Sequence, residues 1–208
     1  HLGELFLESH GVVFSPETAR INEFSVKNTD VSLTLGSIES TDTVPSEPLY
    51  WKILLDEIDF ENVGFALKMP QDSLFVRTML PKTTLKNGVI DLKEASYYVK
   101  SFGIDNAELA YGPKEELFLQ QIGLQLDSIY YCGRNIRANI DEFVFKERSG
   151  LELVSTEGRI VSDSVLIQIP KFIMKTTASS LDLQTKIGWD VLEMKKTGIL
   201  SAKINAEI

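Results

Sequence analysis

Few side chains in this chain could carry out chemistry. The histidines are His1 and His10, and the single cysteine is Cys132. Their spacing fits no zinc site, and the sequence contains no Gly-x-Ser-x-Gly element and no glycine-rich phosphate loop. His10 is followed by Gly11, which predicts a turn rather than a catalytic position. We therefore expect no catalytic residue, no metal site, no cofactor and no enzymatic activity.

A cluster of acids is the remaining candidate for a polar site. Its members are Asp56, Glu57, Asp59 and Glu61. Carboxylates spaced in this way could bind calcium or act as an acid–base pair. However, they alternate with Ile58 and Phe60, and in a strand successive side chains point to opposite faces. The pattern therefore favours a solvated strand face over a site.

The charge balance excludes several classes of partner. The 208 residues carry 30 acids and 21 bases, which gives a formal net charge of −9. The longest basic run is Lys195-Lys196, whereas nucleic acids and anionic membranes are bound through clustered Lys and Arg. We therefore expect no nucleic-acid partner. A single cysteine can form no intrachain disulfide, and Cys132, at the end of an apolar run, is predicted to be a buried or half-buried structural thiol.

Two-residue alternation of apolar and polar side chains recurs along the chain and predicts strands. The clearest examples are 31–35, 74–80, 117–119, 124–126, 136–140, 165–169 and 181–185. The predicted turns between strands are Lys86-Asn87-Gly88, Gly112-Pro113, Gly133-Arg134-Asn135 and Arg148-Ser149-Gly150. Because no long helical pattern separates them, we expect the strands to be antiparallel neighbours.

One segment fits two kinds of element. Trp51, Leu54, Leu55 and Ile58 fall at helical spacing, whereas Trp51, Ile53 and Leu55 fit a strand. The β pattern on both sides of the segment favours the strand.

The domain organisation is predicted to be simple. We expect one β domain over residues 1–208, with a loop at 36–48, the longest polar stretch. The chain opens with His1 in the middle of a strand-like pattern and lacks a signal peptide or a membrane span. We therefore expect it to be an interior piece of a longer protein.

A degenerate repeat occurs at 24–33, 58–67 and 102–111. Its pattern is apolar, any, apolar, charged, Asn, any, any, apolar, any, apolar. An odd step of five residues separates the two apolar pairs, and this step would move the second pair to the other face of a flat strand. Asn tolerates left-handed and bulged backbone, so we predict that a turn or bulge at each Asn keeps the apolar face continuous. Such units are typical of a sheet that grows along one axis.

Several phrases, taken in order, resemble an interior segment of the TamB / AsmA-like family of envelope proteins, in its Bacteroidetes branch. The phrases are Leu2-Gly3-Glu4-Leu5, Trp51-Lys52-Ile53-Leu54-Leu55, the three repeats, the run from Phe145 to Leu153, and the run from Thr176 to Leu181. The resemblance extends over essentially the whole chain.

The resemblance implies a fold, a location and a function. The fold would be all-β, an elongated, curved antiparallel sheet that forms an open apolar groove, or β-taco. The full-length protein would be anchored in the inner membrane and cross the periplasm. This segment would then be a section of a conduit that holds phospholipid acyl chains, for phospholipid transport to the outer membrane or for outer-membrane assembly. Outer-membrane assembly proteins would be partners through regions outside this segment.

Under this hypothesis the groove needs apolar lining residues and no chemical site. The candidate lining residues are Leu33, Leu35, Phe65, Leu67, Leu109, Leu119, Leu124, Phe145, Leu153, Ile167, Ile169 and Leu183. Apolar residues of strands line closed cores more often than ligand grooves. The alternatives are therefore a closed two-sheet β-sandwich, serving as a structural or adhesion-type module without ligand, and a trough that only spans the periplasm.

Overall fold

The computed structural model describes residues 1–14, 16–35, 50–69, 74–193 and 201–207. Strands make up 82% of it, so the fold is all-β. The strands are β1 (Glu4–Phe14), β2 (Glu17–Thr34), β3 (Lys52–Met69), β4 (Leu74–Asp91), β5 (Ser96–Tyr111), β6 (Leu117–Cys132), β7 (Asn135–Glu147), β8 (Glu152–Ser162), β9 (Leu166–Thr176), β10 (Ser180–Gly188) and β11 (Ser201–Glu207). A four-residue helix, α1 (Trp189–Leu192), follows β10. The expected loop at 36–48 lies outside the described residues.

The eleven strands form one elongated, curved sheet in which the order along the chain is the order in space. Nine of the ten neighbouring pairs are antiparallel, as expected. The pair β2–β3 is parallel, with Thr18 opposite Lys52 and Thr34 opposite Lys68, so the expectation is wrong there. Alternation predicts a strand but not its direction, and a parallel pair requires the chain to return to its starting end.

The sheet has no second layer in the part of the chain that the structure describes. Substantial contacts join only strands that are neighbours in the sheet, apart from those between α1 and β10. The two-sheet sandwich is therefore wrong as an architecture, because its strands would have to pack face to face. The first and last strands, β1 and β11, do not pair with each other.

Left-handed residues lie inside the long strands. Asn28, Asn62 and Asn106, the Asn residues of the three repeats, have φ angles of 50°, 54° and 56°. This confirms the prediction that the alternation breaks at the Asn of each repeat. The break does not end the strand, however, because β2, β3 and β5 run through it as continuous elements of 16 to 18 residues.

Three of the four predicted turns are confirmed, and one is wrong. The connections of β5 to β6, β6 to β7 and β7 to β8 fall at the predicted glycine-containing turns. Asn87 instead lies inside β4 with φ 53°. Its left-handed backbone shifts the alternation without reversing the chain, because β3 and β5 hold β4 by hydrogen bonds on both sides.

Two further expectations have clear outcomes. The segment after Trp51 is a strand, β3, as favoured over the helix. His10 lies within β1 and not in a turn. The register shifts between Ser9 and Gly11, and Gly11 has φ 127°, so the glycine accommodates a bulge within the strand.

Candidate functional site: an uncovered apolar face

β3 shows how one face of the sheet becomes apolar along its whole length. Its apolar side chains include Ile53, Leu55, Ile58, Phe60, Val63, Phe65 and Leu67. The steps from 55 to 58 and from 60 to 63 are odd, so simple alternation would place these residues on two faces. Two breaks in the alternation restore a single face, and each can be traced through neighbouring strands.

The first break is visible at Gly88, next to the left-handed Asn87. A Cβ on Gly88 would lie 3.2 Å from Leu85 Cδ2 and 3.3 Å from Leu55 Cβ. Positions 85 and 88 therefore point to the same side although they are three residues apart. Gly88 is paired with Val99, so the same face continues into β5.

The second break is visible in β6, next to Gln121 with φ 52°. Leu124 is paired with Phe143, whose ring centroid lies 5.4 Å from that of Phe145. Glu147, two positions further along β7, is on the same side and is paired with Leu119. Leu119 and Leu124 thus share one face across an odd step of five residues. We call this face of the sheet the apolar face and the opposite one the polar face.

A row of directly paired residues crosses the apolar face from one edge of the sheet to the other. This apolar row consists of Leu7, Phe24, Ile58, Leu85, Phe102, Leu126, Ile140, Gly158, Phe172, Leu183 and Ile204. Each of the eleven strands contributes one residue, and none is polar or charged. A Cβ on Gly158 would lie 2.8 Å from Phe172 Cδ2, so the Phe172 ring occupies the space that Gly158 leaves open.

A second row runs beside the first and contains one hydroxyl. It consists of Leu5, Val26, Phe60, Thr83, Ile104, Leu124 and Phe143. Thr83 is buried, and its Oγ1 has no hydrogen-bond partner among the described residues. The same holds for Thr156 of β8, which is paired with Met174. The apolar face therefore has few polar interruptions.

The candidate lining residues of β2 to β6 lie together on the apolar face. Phe65, Leu109 and Leu119 belong to one cross-strand row, and Leu33 is paired with Leu67 two positions away. Leu35 follows the end of β2, and its backbone N–H donates to Lys68 O.

The remaining candidates continue this face through β6 to β10. Phe145 is paired with Leu153, and Leu124 and Leu183 belong to the two rows described above. In β9, Ile167 and Ile169 are paired with Ile187 and Thr185. A register shift next to Pro170 brings Ile169 and Phe172 to the same side, three positions apart. The structure therefore brings these candidates to one surface.

The sequence-based selection missed most of the apolar row. The missed members include Phe24, Ile58, Phe102, Leu126, Ile140 and Phe172. Three of them are the first apolar residue of a repeat, so the repeat itself was the signal that could have identified them. Selecting residues from the second half of each repeat instead favoured one end of the strands.

The polar face carries the charges. Lys27 Nζ lies 3.3 Å from Glu61 Oε2, and Lys86 Nζ lies 2.8 Å from Glu57 Oε1. These hydrogen-bonded carboxylates raise the pKa of both lysines. Asp59 lies between the two acids on the same face, where burial and then the neighbouring Glu57 raise its pKa. Three of the four acids predicted to form a solvated strand face thus lie together on the polar face, where Glu61 is exposed and Glu57 and Asp59 are half-buried.

Asp56 lies apart from these pairs, at the first break. Its carboxylate accepts hydrogen bonds from Arg20 Nε at 3.0 Å and from Asn22 Nδ2 at 2.8 Å. The Asn22 Oδ1 in turn contacts His10 Nδ1 at 2.5 Å. This network links β1, β2 and β3 through side chains and gives the Asp56 carboxylate hydrogen-bond donors at the break.

A depression of about 870 Å³ is lined mainly by residues of the polar face. Its lining includes the small residues Gly64, Ala66 and Ala110, and also Arg77, whose guanidinium forms an ion pair with Glu115 at 2.6 Å. No second layer covers the apolar face in the described residues, so this face is an open surface.

Within the described ranges, no group of three or more His, Cys, Asp or Glu side chains is arranged to hold a metal ion. Cys132 is a half-buried free thiol whose Sγ lies 3.6 Å from Glu94 O. In the same residues, no helix is long and apolar enough to cross a membrane. No protein-family model, curated protein or solved structure matches the chain.

Proposed function

We propose that this chain is a section of a conduit that holds phospholipid acyl chains on its apolar face. The observation that carries the proposal is the apolar row, which crosses all eleven strands without a charge and is covered by no second layer in the described residues. Large exposed apolar patches usually mark an interaction site, since monomeric soluble proteins rarely expose them.

Acyl chains suit this surface energetically. Each CH₂ group transferred from water to an apolar surface gains about 0.8 kcal/mol. A chain of about sixteen carbons could therefore gain on the order of 10 kcal/mol without any head-group pocket. The rows repeat from strand to strand, so neighbouring positions along the row offer similar affinity, which suits movement as well as retention.

The biological setting we propose is the one that the sequence resemblance implies. The chain would be part of a TamB / AsmA-like protein that is anchored in the inner membrane and crosses the periplasm. It would support phospholipid transport to the outer membrane or outer-membrane assembly. The proposal assigns no catalytic role to any residue.

Native mass spectrometry of the 208-residue chain, purified from a Gram-negative periplasm without detergent, tests the proposal. We expect co-purified phospholipid on the wild-type protein and its loss in Phe65→Asp, which places a charge on the apolar face. The matched control is Ala66→Asp, because Ala66 is the next residue, lies on the polar face and is paired with Arg77. Folded protein that carries no lipid would refute acyl-chain binding, as would equal lipid retention by both variants.

A further inference from the structure

Tyrosine and tryptophan side chains gather at one end of the sheet. The chain has six Tyr and two Trp. Those at this end are Tyr50, Trp51, Tyr97, Tyr98, Tyr130, Tyr131 and Trp189. They lie beside the first residue of β3, near the start of β5, near the end of β6 and after β10, and these strand ends all lie at the same end of the sheet. Only Tyr111 is at the opposite end.

Four aromatic residues of this end belong to the apolar face. Tyr97 and Tyr131 are directly paired, two positions beyond the pair of Val99 and Ile129. Trp51 precedes Leu55 by four positions, an even step, and Phe14 contacts the Trp51 ring. We call Phe14, Trp51, Tyr97 and Tyr131 the aromatic rim.

The rings of the aromatic rim form two contacting pairs at the boundary with water. The centroids of Phe14 and Trp51 are 5.7 Å apart in an edge-on arrangement, and those of Tyr97 and Tyr131 are 5.9 Å apart. Tyr97 is 42% exposed, Tyr131 46% and Phe14 77%. These rings are thus only partly covered by the protein, and the two tyrosines add a polar hydroxyl to their apolar rings.

The opposite rim of the apolar face has a different composition. One paired row at this rim is Leu33, Leu67, Val76, Tyr111 and Leu117, and Met69 is paired with Leu74 beyond it. Aliphatic side chains dominate there, with one tyrosine. The two rims are therefore chemically distinct, although the face between them is apolar with few polar interruptions.

Rings with an apolar body and a polar tip have a known preference in lipid. Trp and Tyr concentrate at the level of the lipid head groups, whereas aliphatic side chains favour the acyl region. The turn between β4 and β5, directly beside Tyr97, also carries Lys93 and Glu94. Neither side chain forms an ion pair with another described residue. The Lys93 ammonium is therefore available to a lipid phosphate, and the Glu94 carboxylate to a lipid amine.

We propose that the aromatic rim holds the glycerol and head-group region of a bound phospholipid, with a zwitterionic head group beside Lys93 and Glu94. The acyl chains then extend along the strands toward the middle of the apolar face. This inference rests on the proposed acyl-chain binding and adds an orientation to it.

The dimensions agree with this orientation. A bilayer leaflet gives its acyl chains about 15 Å, half of a core of about 30 Å. A strand rises about 3.3 Å per residue, so this length corresponds to roughly five residues. Counted from Tyr97, the chain ends lie near Phe102, on the apolar row. The aromatic rim and the apolar row are thus one acyl chain apart.

Depth-dependent quenching of tryptophan fluorescence tests the orientation. Trp189→Phe leaves Trp51 as the single tryptophan, on the aromatic rim. A second reporter combines Trp51→Phe, Trp189→Phe and Phe102→Trp, which places the tryptophan on the apolar row. Each folded full chain is loaded from vesicles of phosphatidylcholine brominated near the carboxyl end or near the methyl end of the acyl chain, and is then separated from the vesicles.

We expect Trp51 to lose more fluorescence with bromine near the carboxyl end, and the tryptophan at 102 to lose more with bromine near the methyl end. The same order at both reporters, or the reverse order, would overturn the proposed orientation while leaving lipid binding intact. No quenching at either reporter, together with no lipid in the mass spectrum, would instead refute the proposed function itself. The two failures are therefore distinguishable.

Discussion

The side-chain amide of Asn62 donates a hydrogen bond to the side-chain carbonyl of Asn28, 3.2 Å away on the neighbouring strand. Both residues have left-handed backbone, and each is the Asn of a sequence repeat. Because β2 and β3 are parallel, equivalent positions of the two repeats lie side by side. The breaks in alternation are therefore aligned across strands, and aligned breaks leave the hydrogen-bonded ladder in register.

We expect Asn62→Ala to lower stability by about 1 kcal/mol, because left-handed backbone costs roughly 1–2 kcal/mol for residues with a Cβ other than Asn and Asp. Asn62→Gly should lose less, since glycine adopts this conformation freely. The midpoint of urea denaturation measures both. Asn139→Ala is the control, as Asn139 is paired in β7 and is not left-handed. Equal losses for Ala and Gly at position 62 would contradict the conformational explanation.

Thr83→Val is expected to stabilise the protein by about 1 kcal/mol, because it removes a buried hydroxyl without a hydrogen-bond partner and keeps the shape of the side chain. Thr185→Val is the matched control on the same face. The Thr185 Oγ1 donates to Ser201 O at 2.9 Å, so its loss should destabilise by a similar amount. Denaturant titration distinguishes the two. A loss of stability in Thr83→Val would mean that its hydroxyl has a partner.

The pKa of Asp59 is raised, first by burial and then by Glu57, so folding favours its protonated form. Its stabilising contribution is present below its ordinary pKa of 3.8 and is lost as the pH rises through the raised value. At neutral pH the charged carboxylate is therefore unfavourable, and we expect Asp59→Asn to raise the melting temperature. The gain should shrink as the pH falls toward 3.8. Thermal melts over a pH series measure it, and a gain independent of pH would contradict the assignment.

The pKa of Asp163 is shifted in the opposite direction to that of Asp59. The backbone N–H groups of Val165 and Leu166 donate to its carboxylate at 2.8 and 3.0 Å and lower its pKa. The stability it contributes is present above its ordinary pKa and is lost as the pH falls through the lowered value. Asp163→Ala should therefore lower the melting temperature at neutral pH, and the difference from wild type should fade in acid. A difference that persists or grows in acid would show that the carboxylate charge is not responsible.

The repeat shows how much of the fold could be predicted from sequence patterns. The odd step between its apolar pairs, together with Asn, was sufficient to predict a break in the alternation at Asn28, Asn62 and Asn106, which the structure makes with left-handed backbone. At Asn87 the same residue type led to the wrong prediction of a turn, because Asn-Gly is also a strong turn signal. Gln121 and Ser128 are left-handed as well, and their residue types give no such signal. Only the cross-strand partners on both sides of a strand decide between a bulge and a turn.

The candidate site was predictable in one respect and not in another. Periodicity assigns residues such as Phe65 and Leu109 to a common face once the breaks are placed. It cannot decide whether a second layer covers that face, because closed cores and open surfaces use the same apolar side chains. It also did not reveal the parallel pairing of β2 and β3, since strand direction depends on the path between strands rather than on side-chain pattern.

The length of the apolar row is set by the number of strands in the sheet. Each strand adds one residue to the row and advances it by about 4.8 Å, so eleven strands span roughly 48 Å between Leu7 and Ile204. Adding or deleting one hairpin would change this length by about 10 Å and leave the cross-section unchanged. The distance that such a sheet bridges can therefore vary in evolution by whole hairpins, with no redesign of the surface that a ligand meets.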